Sequence, residues 1–172
     1  MRKRDFYAAV GLLVLIFLLV AFRPWHRASH TSGANALYAS DVYKAAFQFP
    51  KNWKEAPGYA GDRFEGEDGF FEVSAVGTDG AFSLSDVVSL EEGDTLFPYG
   101  TSPKVATIAA GGKPGALIVP SANQGPSMRG QAALVVAYPE PVEIEGAKYF
   151  YFVLMADKDH IRALASSLEF RE

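Results

Sequence analysis

Asp157, Asp159 and His160 stand within four positions of one another, just ahead of an apolar stripe at helical spacing. A carboxylate three residues before an imidazole shares its helical face, so Asp157 can orient His160 as a general base. The plainer reading makes Asp157 a helix cap and Asp159 a favourable charge at the positive end of the dipole, with His160 at the surface. The chain has no cysteine, and no Ser or Thr stands in a nucleophile-elbow context. The plainer reading is therefore adopted, and the expectation is a non-enzyme with no catalytic residue, cofactor or metal. A hydrolase using His160 and Asp157 is the alternative.

Other groups invite the same comparison. Asp62, Glu65, Glu67, Asp68 and Glu72 crowd around Gly61 and Gly66. Alternate acids can gather oxygen ligands for calcium, but the D-x-D-x-D-G spacing is missing, so a solvated hairpin arm is expected. His26 and His30 have the spacing of paired helical metal ligands, yet Gly and Ser surround them and they read as linker residues. Glu91-Glu92-Gly93-Asp94 reads as a helix end, where acids oppose the dipole. Two long loops, 97–101 and 121–129, mix aromatic, amide and cationic groups. As connections they need no function. As recognition loops they would set Tyr99, Gln124 and Arg129 on a partner-binding rim.

Charge narrows the partners. The chain has 172 residues, 49% of them apolar, and a net charge of −4. Arg2, Lys3, Arg4, Arg23 and Arg27 stand near the start against Asp5 alone, so the remainder is strongly acidic. An acidic domain without a basic stripe excludes nucleic acid. The basic residues flank an apolar run at residues 6–22, which as a helix spans about 25 Å, near the lower limit for crossing a bilayer. Arg23 can snorkel and Trp25 can sit at the interface. A cleaved signal peptide needs small residues just after its apolar stretch, and Phe22-Arg23-Pro24-Trp25 offers none. The expectation is a retained single-pass anchor over residues 1–27, a flexible linker over 28–39, and an extracytoplasmic domain over 40–172.

The elements that must position any site follow from patterning. Residues 43–49 predict a strand closed by Pro50, then a turn that returns Trp53 to the core. Residues 63–67 and 69–76 predict a hairpin across Asp68-Gly69, with Phe71, Val73 and Ala75 on one face and Glu72 and Ser74 on the other. Ser83-Leu84-Ser85-Asp86 is a capping box that opens a helix stopping near Gly93. Residues 105–109 and 116–119 pair as strands, and 121–130 is loop. Residues 131–138 and 148–155 are apolar on both faces, the mark of strands in the middle of a covered sheet. Ile161, Leu164, Ala165 and Leu168 form the stripe of a last helix before a short strand. The connections between strands are too short for parallel crossovers. The fold class is α+β: an α/β/α sandwich around a largely antiparallel sheet.

Phe47-Gln48-Phe49-Pro50-Lys51-Asn52-Trp53 resembles the F-x-[FY]-P-x-x-W opening of PsbP-like domains, which are related to the photosystem II extrinsic protein. The resemblance covers about residues 40–171, ending on a capped helix and a short Leu168-Glu169-Phe170 strand. It implies a non-catalytic, exported or membrane-tethered module and carries over no catalytic residues. The anchor, the tether and the absence of a catalytic constellation lead to the expectation of a domain that binds a protein or cell-envelope partner. An extracytoplasmic sensor of a small ligand or cation is a further alternative. Oligomeric state is open.

Overall fold

The computed structural model describes residues 29–30, 35–59, 61–77, 82–128 and 130–171. The apolar run at 6–22 and His26 lie outside them. Among the described residues no helix is long and apolar enough to cross a membrane.

Eleven strands and two α-helices are present among the described residues. The strands are β1 (Ser29–His30), β2 (Asn35–Ser40), β3 (Ala45–Pro50), β4 (Lys54–Ala56), β5 (Asp62–Gly66), β6 (Gly69–Val76), β7 (Lys104–Ala110), β8 (Lys113–Val119), β9 (Gln131–Ile144), β10 (Ala147–Asp157) and β11 (Glu169–Phe170). The helices are α1 (Leu84–Glu92) and α2 (Ile161–Ser166). Seven strands form one sheet in the order β4-β5-β6-β10-β9-β8-β7, and four form a smaller sheet, β1-β2-β3-β11. Every pairing is antiparallel, as the short connections require.

The middle of the large sheet is apolar on both faces. Leu134, Val136, Phe152 and Leu154 enter one core, while Ala133, Val135, Tyr151 and Val153 enter a second on the opposite face. Alternation along a strand sends neighbours to opposite sides, so both faces must be covered. α1 covers the second face through Val87 and Val88. The first is covered by β2, β3 and α2, which bring Tyr38, Phe47, Phe49, Ile161 and Leu164. This corrects the sandwich expected from sequence: one outer layer is a small sheet with a single short helix. Six residues of helix cannot cover a seven-stranded sheet, and the β2–β3 pair supplies the missing apolar area.

Two further boundaries move. The far end of the stretch read as a tether, Asn35–Ser40, is strand β2, with Ala36, Tyr38 and Ser40 buried. Its Ala-Leu-Tyr-Ala alternation is short and weakly apolar, so composition alone looked like linker. β9 runs to Ile144, through the Pro139-Glu140-Pro141 segment expected to be a connection. The β9–β10 register shifts between Tyr149 and Tyr151, opposite these prolines, where the ladder is already interrupted and a missing N–H costs little. The chain turns instead at Glu145-Gly146, both at positive φ (53° and 81°).

Phe71 sits at the centre of the first core. Its ring packs at 4.9 to 5.4 Å from those of Tyr38, Phe47, Phe49 and Phe64, and Trp53 closes the cluster at 6.2 Å. Replacing Phe71 by Ala removes the ring that joins both sheets. The unfolding free energy measured by urea denaturation should fall by about 3–5 kcal/mol.

Candidate functional site

α1 starts on Ser83, whose side chain accepts from the Asp86 N–H while the Asp86 carboxylate accepts from the Ser83 N–H at 2.8 Å. The Tyr151 hydroxyl donates to the Phe82 carbonyl at 2.8 Å and pins this end to the sheet. The helix ends at Gly93 after nine residues, lying over β8 and β9. A cleft of about 330 Å³ opens between its last turn and strands β5 and β6.

The floor comes from β5, β6, β9 and β10: Arg63, Phe70, Glu72, Gln131 and Met155. Arg63 and Glu72 are cross-strand partners and share this face. The Arg63 guanidinium donates to Glu72 at 3.3 Å and to Glu65 at 3.1 Å, and lies 4.4 Å above the Phe70 ring. Glu72, on the face of β6 opposite Phe71 and Val73, is only 4% exposed. Its pairing with Arg63 makes that burial tolerable.

One wall is the last turn of α1 and the loop after it, with Glu91, Asp94, Leu96, Pro98 and Tyr99. The Tyr99 hydroxyl donates to the Glu91 carboxylate at 3.1 Å. Burial, opposed by that bond and reinforced by Asp94, raises the Glu91 carboxyl above its ordinary value. Burial likewise pushes the Tyr99 phenol up, so it stays a neutral donor. Leu96, 65% exposed, stands at the lip, and Ser127 and Met128 form the facing side. The cleft thus sets three acids, Glu72, Glu91 and Asp94, and the paired Arg63 among aromatic and thioether surface.

The rim expected from sequence is rearranged. Tyr99 is buried rather than presented to solvent, because its ring packs in the core under α1. It contributes to the cleft from below. Gln124 is half-buried and serves the loops: its amide donates to the carbonyls of Pro98 and Gln131, and its oxygen accepts from the Gly130 N–H at 2.8 Å. Arg129 lies outside the described residues. The two loops are nevertheless stitched together, with Ser121 donating to the Tyr99 carbonyl and Asn123 accepting from the Thr101 N–H. Both loops line the cleft, one through Pro98 and Tyr99 and the other through Ser127 and Met128. Sequence reasoning missed Arg63, Phe70, Glu91, Gln131 and Met155. A signal existed for the first pair, because counting back from the hairpin turn places Arg63 opposite Glu72.

His160 and Asp157 do meet, with Nδ1 to Oδ1 at 2.8 Å. The same Oδ1 accepts the N–H groups of Asp159 and His160, both at 3.1 Å, and Oδ2 accepts that of Phe70 at 3.3 Å. Asp157 therefore caps a turn and ties it to β6. The N-cap of α2 itself is His160, which makes no side-chain cap. The second ring nitrogen, Nε2, lies 3.9 Å from Asp68, and the Trp53 ring packs edge-on at 5.0 Å. The imidazole sits between two carboxylates against an indole, a joint between α2 and the β5–β6 hairpin. The remaining acids are similarly occupied: Asp62 accepts from Tyr38 at 2.8 Å and Asp68 from Trp53 at 2.7 Å. Among the described residues no group of three or more His, Asp or Glu is placed to hold a metal ion.

No family model matches the chain, and no curated protein matches it. Among solved structures, the chain is similar to the solution structure of cyanobacterial PsbP (CyanoP) from Synechocystis sp. PCC 6803, at 14% identity and a TM-score of 0.46. The likeness covers 84% of this chain and 98% of that one.

The Trp53 bond holds the Asp68 carboxyl below its ordinary value, aided by His160. A lowered carboxyl contributes stability above the ordinary carboxylate range, and that contribution is lost as pH falls through the lowered value. Denaturation curves recorded from neutral pH into acid should show Asp68→Asn less stable than the parent at neutral pH, the gap closing with acid. A gap constant with pH contradicts this account of the joint.

Proposed function

We propose that this chain is a non-catalytic binding domain that receives a cationic side chain of a protein partner in the cleft beside α1. The observation that carries the reading is the half-buried Glu91, held by Tyr99 at the acidic end of a cleft floored by Phe70 and Met155. A carboxylate kept in a desolvated place costs stability, and an incoming ammonium or guanidinium offsets that cost where water does not. Apolar surface around it favours the methylene stem of Lys or Arg. The opening motif at residues 47–53, with its resemblance to PsbP-like modules, supports an accessory role. The apolar run at residues 6–22, with basic residues on both flanks, supports tethering to a membrane with the acidic domain on the extracytoplasmic side. A cell-envelope polymer bearing amines would satisfy the same chemistry.

The 2.8 Å contact between His160 and Asp157 favours a second reading, a hydrolase with an oriented imidazole. The two readings separate cleanly. Loss of a measured hydrolytic activity in a folded His160→Ala variant establishes the second and removes the first.

Binding is tested with the full chain in detergent, titrated with short peptides that carry lysine between apolar residues. Glu91→Gln should weaken binding at least fivefold, and glutamate-bearing control peptides should not bind. Equal affinity for both peptides, or for the variant and the parent, overturns the reading. Stability should move the other way. Because the raised Glu91 carboxyl destabilises the fold when ionised, Glu91→Gln should raise Tm at neutral pH, with the gain shrinking as pH falls through the raised pKa.

A further inference from the structure

The large sheet ends in two unlike edges. β4 has three residues and presents the charged, exposed Lys54 and Glu55, the usual protection of an edge. β7 has seven residues and, beyond its first position, none of that protection. Its sequence, Lys-Val-Ala-Thr-Ile-Ala-Ala, carries one charge at its first position and no proline, and it pairs with β8 over its whole length without a register shift. Among the described residues no strand pairs with its outer side. Ile108 and Ala110 face the first core, whereas Val105, Thr107 and Ala109 are exposed, Val105 at 47%. The strand is anchored at its end by the Gly111-Gly112 turn, at positive φ of 58° and 72°. A Cβ at Gly111 would strike the Phe170 ring, so this corner packs closely on β11.

We propose that β7 is a self-association edge, on which a second copy of this chain adds its own β7 antiparallel to the first and joins the two sheets across a two-fold axis. The strand is complementary to itself in one register. Centred on Thr107, all seven residues overlap: Thr107 meets Thr107, Val105 meets Ala109, and Ile108 meets Ala106. Side chains that face the same side in one copy then face the same side in the other, and the exposed row becomes one stripe of β-branched and small residues. Any other two-fold register of that parity leaves part of the strand unpaired. Charge fits as well. Lys104 falls opposite Ala110 of the second copy, and the two lysines lie about 20 Å apart along the sheet, beyond the screening length at physiological salt. The contact is isologous and closed, so it gives a dimer and not a fibre.

The absence of cysteine makes the test clean. Single cysteines are placed in the full chain at Thr107 or Val105, both exposed, and the protein is oxidised in its membrane or in detergent. Thr107→Cys should give a disulfide-linked dimer at several-fold higher yield than Val105→Cys, because only residue 107 meets itself. Thr107→Lys sets like charges on the axis and should convert the dimer to monomer by light scattering, with its circular dichroism spectrum unchanged. Equal cross-linking at both positions, or a monomeric parent, overturns the proposal. A parent that is monomeric alone but pairs β7 with an added extended peptide overturns it in favour of strand addition by another protein.

Discussion

The strands β9 and β10 are apolar on both faces, and this single constraint organises the molecule. A strand that can tolerate water on neither side forces the chain to supply two covers, and it does so by different means. On one side α1 brings Val87 and Val88; on the other, β2 and β3 bring Tyr38, Phe47 and Phe49, which pack around Phe71 of β6. The large hydrophobic area of those rings makes a six-residue α2 sufficient to complete the second cover.

The covers are unequal in reach, and the candidate site follows from that inequality. The small sheet and α2 span the inner face from β6 to β7, while α1 stops after nine residues. The outer face of β5 and β6 is therefore left to side chains that can live beside water: Arg63 paired with Glu72, Phe70 beneath the guanidinium, and Glu91 held by Tyr99. Packing decides where the cleft is; the acids at the end of α1 decide what it favours. Placing acids at a helix C-terminus opposes the macrodipole, and in the proposed reading their position on the cleft wall is what receives the cation.

Much of the architecture was legible in residues 63–76, 83–93 and 131–155, where alternation, a capping box and two doubly apolar runs each have one physical reading. The loss of legibility has specific causes. β2 sets one large buried ring, Tyr38, between Ala36 and Ser40, and its pairing with β3 rather than its composition makes it a strand. Pro139 and Pro141 read as breakers because a register shift in the partner strand is invisible in sequence. Of the site, Asp157 and His160 were foreseen as neighbours, but the three backbone N–H groups that Asp157 accepts, one from β6, required the fold. The sequence sets Tyr99 in a loop that mixes aromatic, amide and cationic groups, yet only tertiary packing shows its ring buried beneath α1 with its hydroxyl on Glu91.

The most direct test of a cation-receiving cleft is to see where a small cation settles. Amide spectra of the isotopically labelled chain, titrated with n-butylammonium, should shift at Arg63, Phe70, Glu72, Glu91, Gln131 and Met155, and should leave residues around His160 unmoved. Shifts centred on Asp157 and His160, or scattered evenly over the surface, would contradict the account.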